Sequence, residues 1–313
     1  MVNSSVVTHF TLGAYTDLGP VKWLYFLLIL STYVLVLVSN VLLLVVICLN
    51  RTLHEPMYVL LCSLFLNEIW GSFAVFPMLL VQILRDVHTI TFTFCFLQIF
   101  VGHLYASVEF LILAVITYDR YLAITFPLQY RTRMTSTRVL FLFIFPWFYA
   151  FVLILTLVLL TLSLKLCGGY IPKISCNNYS VVQLACSDTS VSNIYGILIT
   201  ILSVFGPLIF IFVSYVCILK VCFRGSSQTR QKALSTCTPH LASVINFSFG
   251  VCFEVLQSRF DLQSVPNVIR VLLSLYFLVI QPLFNPLIYG LKLSKVRTLC
   301  LHLLRSAVTN ELQ

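Results

Sequence analysis

The sequence predicts an all-α membrane protein, a bundle of seven transmembrane helices followed by a short amphipathic eighth helix. Three observations predict it. Of 313 residues, 60% are hydrophobic and only 9% charged, a balance that cannot supply a water-facing surface. Apolar runs recur along the whole chain, each near or above the roughly 20 residues a helix needs to cross a bilayer. The basic residues gather at alternate ends of those runs, as expected when short cationic loops resist translocation.

The first run, residues 23–49, is the cleanest. It is too long for the apolar stretch of a secretory signal and lacks a basic leader and a small-residue cleavage site, so it is read as a retained membrane helix. The others are 57–84, 90–118, 139–164, 194–219, 233–253 and 271–291. The expected organisation is an extracellular N-terminal segment 1–22, a membrane bundle 23–291 and a cytoplasmic tail 292–313. In that tail Leu293, Val296, Cys300 and Leu303 share one face, away from Lys292, Lys295, Arg297 and His302. Such spacing suits a helix lying on the inner leaflet.

Thirteen of the 19 Lys and Arg residues, among them Arg120, Arg131, Arg133 and Arg138, fall on one side; six, including Lys22, Arg85, Lys173 and Arg259, fall on the other. The first group is assigned to the cytoplasm, and an odd number of spans puts the N-terminus outside the cell in a multi-pass plasma-membrane protein. Two glycosylation acceptors, Asn3 and Asn178, then face outward. The net charge of +9 is spread over short loops beside lipid headgroups, so the partner it implies is membrane lipid and not nucleic acid.

Of 11 cysteines, the topology places Cys95, Cys167, Cys176 and Cys186 on the oxidising side, where two bridges can form. The sequence leaves all three pairings open. Two crosslinks in the long loop 165–193 would press it over the bundle as a lid.

No HExxH, Walker loop, GxGxxG or paired CxxC motif is present, and an enzyme is not expected. Cys237 and His240 are one isolated pair of metal-ligand types where zinc needs four ligands. Glu68 and Glu109 are more informative, because ionisable groups within the bilayer are costly unless they face a partner or a polar cavity. Two carboxylates at that depth repel unless one holds a proton or a cation such as sodium lies between them. The other reading is two separately hydrogen-bonded core groups. A cation-coupled carrier could use the same pair, but the runs show no related halves, and no charged ring or filter loop suggests a channel.

At the inner end of the third run the chain reads Asp119-Arg120-Tyr121. Leu53-His54-Glu55-Pro56-Met57-Tyr58 opens the second, Lys232 to Leu241 reads KALSTCTPHL, and Asn285-Pro286-Leu287-Ile288-Tyr289 closes the seventh. On these segments the chain resembles the rhodopsin-like receptors and, more closely, the odorant receptors. Glu68 stands where that family usually has Asp. The resemblance implies pairing of Cys95 with Cys176 and of Cys167 with Cys186. It also implies a switch: Asp119 holds Arg120 until the sixth helix swings outward and Arg120 can meet a stimulatory, olfactory-type G protein. Arg suits that position because it stays charged in a poorly hydrated site. Pro286 marks a bending point in the seventh helix, whereas Pro239 is equally read as a passive kink. His240 and Tyr289 are candidates to exchange hydrogen bonds between two packings, with a satisfied core histidine as the plainer reading.

A diffusible ligand is expected among the outer thirds of the third, fifth, sixth and seventh helices. Helical spacing nominates His103, Ala106 and Ser107 on one face and Val251, Val255 and Arg259 on another. Arg259 could anchor a carboxylate by paired hydrogen bonds, as the resemblance to acid-recognising odorant receptors implies for Arg259-Phe260. It could instead pair with Asp261 or extend to headgroups. The expected protein is a receptor for a small odorant, a carboxylate or amino acid among the candidates, that raises cyclic AMP. A rhodopsin-like receptor for an endogenous signal and a cation-coupled carrier are the alternatives.

Overall fold

In a bilayer, a lone segment can satisfy all of its backbone polar groups only as a helix. The computed structural model describes residues 7–15, 19–224, 227–259, 267–293 and 295–299. Among them seven helices are long and apolar enough to span a membrane: α1 (Lys22–Leu49), α2 (Pro56–Leu84), α3 (Phe92–Thr125), α4 (Ser136–Leu162), α5 (Ser190–Arg224), α6 (Ser227–Arg259) and α7 (Asn267–Lys292). Local signals set several starts: Pro56 occupies the first turn of α2, and the Thr91 and Thr135 hydroxyls accept from Phe94 N and Arg138 N to cap α3 and α4. α5 carries a π-helical segment, Ile201–Phe205, just before Pro207, which has no N–H for the carbonyl four residues earlier.

Apolar composition alone does not say which helices are central. Burial does: 67% of the most apolar stretch of α2 and of α3 is buried, against 28% for α1 and α4 and 22% for α5. α3 packs against α2, α4, α5 and α6, while α7 closes the ring on α1, α2 and α6. Lipid tails are as apolar as Leu, so close packing and interhelical hydrogen bonds hold the bundle together.

The ends differ. At one, Cys95 is bonded to Cys176 and Cys167 to Cys186. There the all-α bundle gains a small sheet that periodicity did not announce. Strand β1 (His9–Leu12) lies between β2 (Thr89–Thr91), antiparallel with Phe10 opposite Ile90, and β3 (Tyr170–Ile171), parallel with Leu12 opposite Ile171. Phe10 and Leu12 alternate inward to join Cys95, Phe96 and Ile171 in a core beneath the loop. At the other end lie Arg120, Arg131, Arg133 and Arg138. There residues 295–299 are helical, Val296 is buried, and Lys295 pairs with Glu55 at 2.9 Å. The rest of the expected eighth helix, with Cys300, His302 and Leu303, lies outside the described residues, as does Asn3.

Candidate functional site

A cavity of about 220 Å³ opens near the disulfide end between α3, α5 and α6, under the loop. His103, Ala106, Ser107, Val251, Val255 and Arg259 all line it. His103 Nδ1 lies 2.8 Å from the Ile99 carbonyl; a carbonyl only accepts, so Nδ1 donates and Nε2 is the ring's remaining polar atom. The Arg259 guanidinium stacks 4.3 Å above the ring of Tyr179, itself a wall of the cavity. Asp261 lies outside the described residues.

The loop is fastened to α6 by a pair that the sequence did not advertise. Lys173 Nζ donates to Glu254 Oε1 at 2.8 Å and to Ser258 Oγ at 2.7 Å. Ser274 of α7 donates to the second Glu254 oxygen at 3.1 Å, and Asn177 donates to Ser258. Glu254 and Arg259 are the two charged residues that line the cavity. Glu254 is thus neutralised from the roof, whereas Arg259 meets no carboxylate among the described residues. Asn178 departs from the expectation of an exposed glycan acceptor. It is 7% exposed in the short helix Asn178–Val182, lines the cavity, and its Oδ1 accepts from Thr161 at 2.7 Å, so the fold turns it inward.

Below the cavity the carboxylates of Glu68 and Glu109, both fully buried, meet around one amide. Asn285 Nδ2 donates to Glu68 and, at 2.8 Å, to Glu109. Tyr105 donates to Glu68 at 2.9 Å, and Asn67 and Gln281 donate to Glu109 at 2.9 and 3.3 Å. Ser243 completes the cluster by donating to Asn285 Oδ1 at 2.6 Å. Four helices, α2, α3, α6 and α7, are therefore tied through neutral donors. Gly71 makes this geometry possible: a Cβ there would stand 2.4 Å from the Tyr105 ring. The buried Oδ1 of Asn67 has no protein partner among the described residues, so oxygen atoms of Glu68, Glu109 and Asn67 form a set that suits a hard cation such as sodium.

Two devices follow towards the basic end. His240, 1% exposed, bridges three helices: its Nε2 lies 2.9 Å from the Leu113 carbonyl of α3 and its Nδ1 2.8 Å from the Tyr215 hydroxyl of α5. The carbonyl requires Nε2 to donate, which makes Nδ1 of the neutral ring the acceptor from Tyr215. Lower still, Arg120 Nε donates to Asp119 at 3.0 Å, with a second bond from its terminal nitrogen, and Tyr130 donates to the other Asp119 oxygen at 2.5 Å. Burial first, and then the Asp119 charge, push the Tyr130 phenol above its ordinary pKa. Tyr121 packs edge-on against Phe126. Tyr289 is 4% exposed beside Phe65.

Sequence reasoning named one partner in most of these pairs and missed the other. Tyr130, Tyr215, Asn67 and Gln281 carry no motif. Glu254 did leave a signal, an acidic residue directly after the sixth apolar run and one turn before Ser258, but its cation comes from a loop whose path no periodicity reveals.

Comparison with known proteins places the chain in a family. A family profile described as "Olfactory receptor" matches residues 29–307. The chain is 32% identical to human olfactory receptor 10T2, over 94% of this chain and 93% of that receptor. It is 33% identical to human olfactory receptor 11A1, over 94% and 92%, and 33% identical to mouse olfactory receptor 6E1, over 95% of each. The crystal structure of squid rhodopsin superposes with a TM-score of 0.74, covering 94% of this chain and 89% of that one at 17% identity, a likeness of fold.

Proposed function

The chain belongs to the olfactory receptor family of rhodopsin-like G-protein-coupled receptors, and from that premise we propose that it binds a small carboxylic acid or amino acid outside the cell and activates a stimulatory G protein to raise cyclic AMP. The observation that carries the ligand class is the charge balance of the cavity. Glu254 is already matched by Lys173, and Arg259 is the lining cation with no carboxylate partner among the described residues. A bidentate guanidinium selects a planar carboxylate by geometry as well as by charge. His103 and Ser107 supply further polar contacts to an otherwise largely apolar lining, and Ala106, Val251 and Val255 receive the carbon skeleton.

The end that carries Arg120 and most of the basic residues faces the cytoplasm in this reading, and the disulfide end faces outward, where an oxidising milieu sustains both bridges. Ligand drawn between α3 and α6 biases the packing of α6. The change passes through Asn285 and His240, both of which bond α3 across to other helices, and loosens the hold of Asp119 on Arg120. Pro286 and Tyr289 belong to the bending part of α7, and Tyr121 to the coupling surface beside Arg120. A sodium ion would be held by Glu68, Glu109 and Asn67, where its charge would offset one of the paired carboxylates and stabilise one packing over the other.

The experiment is cyclic AMP production in cells expressing the chain, screened against short carboxylic acids, amino acids and neutral odorants, with Arg120→Ala at equal surface expression. Acid-evoked cyclic AMP that disappears in Arg120→Ala supports the proposal. A response only to neutral odorants overturns the ligand class, and an acid response that persists in Arg120→Ala overturns the coupling scheme.

A further inference from the structure

A second and larger cavity, of about 770 Å³, lies on the outer face of the bundle, between α2 and α3. Its walls are single faces of two helices. Trp70, Phe73, Pro77 and Val81 follow one another along α2 at three- and four-residue steps, with Arg85 just past its end, and Phe94, Leu97 and Val101 do so along α3. Trp70, Phe73, Val81, Phe94 and Leu97 are all exposed at the surface of the bundle, so in a membrane they face lipid. From Trp70 to Arg85 the groove runs roughly four turns, about 22 Å. That exceeds the roughly 15 Å of one hydrocarbon leaflet, so the groove reaches from headgroup level past the midplane.

Charge distinguishes this groove from an ordinary lipid-facing surface. Its outer rim holds Arg85, with His9 and Thr89 beside it. The neighbouring acid, Asp86, is taken by Lys22 at 3.2 Å. Among the described residues Arg85 donates to the Thr89 carbonyl, at 3.5 Å, and has no carboxylate partner. An acyl-length apolar channel that ends in an uncompensated guanidinium matches an amphiphile with an apolar tail and an anionic phosphodiester.

We propose that the α2–α3 groove is a phospholipid site, in which one acyl chain lies along Phe73, Val81 and Leu97 and the phosphate sits on Arg85. Occupancy would bear on the receptor's own cavity, because Ala74 and Gln98 line both spaces. Gln98 donates to Met78 on the groove side and accepts from Cys176 N on the loop side at 2.8 Å. A bound chain thus supports the wall to which the disulfide-linked loop is fastened.

The test is native mass spectrometry of the full chain, delipidated in detergent and titrated with dioleoylphosphatidylcholine or with dioleoylglycerol, which lacks the phosphate. The wild-type protein should retain one phosphatidylcholine and release dioleoylglycerol. Arg85→Gln should bind the phospholipid about tenfold more weakly, the loss of one charge-assisted contact. Val81→Trp, which fills the groove from an exposed position, should lose the adduct, and Leu28→Trp on the lipid face of α1 should keep it. Equal retention by the wild type, Arg85→Gln and Val81→Trp would overturn the site. Retention of dioleoylglycerol equal to that of phosphatidylcholine would overturn the phosphate contact. A lipid-free dimer that only Val81→Trp dissociates would assign the groove to a second copy of the chain and overturn the proposal.

Discussion

Asn40 of α1 donates its side-chain amide to the main-chain carbonyl of Pro282 in α7 at 2.9 Å. In an uninterrupted helix that carbonyl would accept from residue 286, but residue 286 is proline and has no N–H. A side chain from a neighbouring helix therefore supplies the donor that the sequence of α7 withholds, and the Pro286 turn is tied to α1.

Replacing Asn40 by Ala leaves the Pro282 carbonyl unpaired in an apolar interior, at a cost of about 1–3 kcal/mol. Asn40→Ala should therefore lower the thermal midpoint of the purified chain in detergent. An unchanged midpoint would mean that another donor takes the carbonyl.

Gly71→Ala should destabilise by about 1–3 kcal/mol, as overpacking does, because the new methyl group would meet the Tyr105 ring at 2.4 Å. Tyr105→Phe removes only the hydroxyl bond to Glu68 and should cost less. The double variant should be no better than Gly71→Ala alone, since the ring remains. Thermal unfolding of the three variants decides this.

What was legible in the sequence, and what was not, follows from the range of the interactions. Seven spans could be read because a membrane helix needs a long apolar run, and α1 through α7 supply one each. The sheet could not, because β1 and β2 are three or four residues of mixed character whose register is fixed by the loop they meet. The cavity-lining faces of α3 and α6 could be nominated from three-and-four spacing, which places His103 with Ser107 and Val255 with Arg259. Their partners could not be: Lys173 lies 81 positions from Glu254, and the Tyr215 hydroxyl 25 from His240. Asn178 shows the opposite failure. A sequon is a local pattern, and the inward turn of the helix that carries it is not.

The Glu68 and Glu109 cluster gives a readout independent of signalling. In sodium chloride, relative to N-methylglucamine chloride, the wild-type chain should unfold at a higher temperature if the carboxylates hold sodium. Glu109→Gln and Glu68→Gln should abolish that difference while keeping the hydrogen bonds from Asn67, Tyr105 and Asn285 largely replaceable. Equal midpoints in the two salts for the wild type would leave the pair as hydrogen-bonded core groups.

His240 and Tyr130 hold one packing in place by bonds of at least about 1 kcal/mol each. Tyr130→Phe should weaken the hold on Asp119, and Tyr215→Phe the bond to His240, so each should raise ligand-independent cyclic AMP by about fivefold or more, fivefold being the factor that 1 kcal/mol makes in a two-state equilibrium. Basal signalling at the wild-type level in both variants, at matched surface expression, would show that these bonds do not bias the switch.

The most direct measurement is a pair of dose–response curves, for a short carboxylic acid and for its methyl ester, on the wild-type chain and on Arg259→Gln. If Arg259 anchors the carboxylate, the acid loses at least about tenfold in potency in the variant, the loss of a charge-assisted bidentate contact, while the ester's weaker response is unchanged. An acid potency that survives Arg259→Gln intact would contradict the assignment of Arg259 as the carboxylate anchor, and with it the ligand class proposed for this receptor.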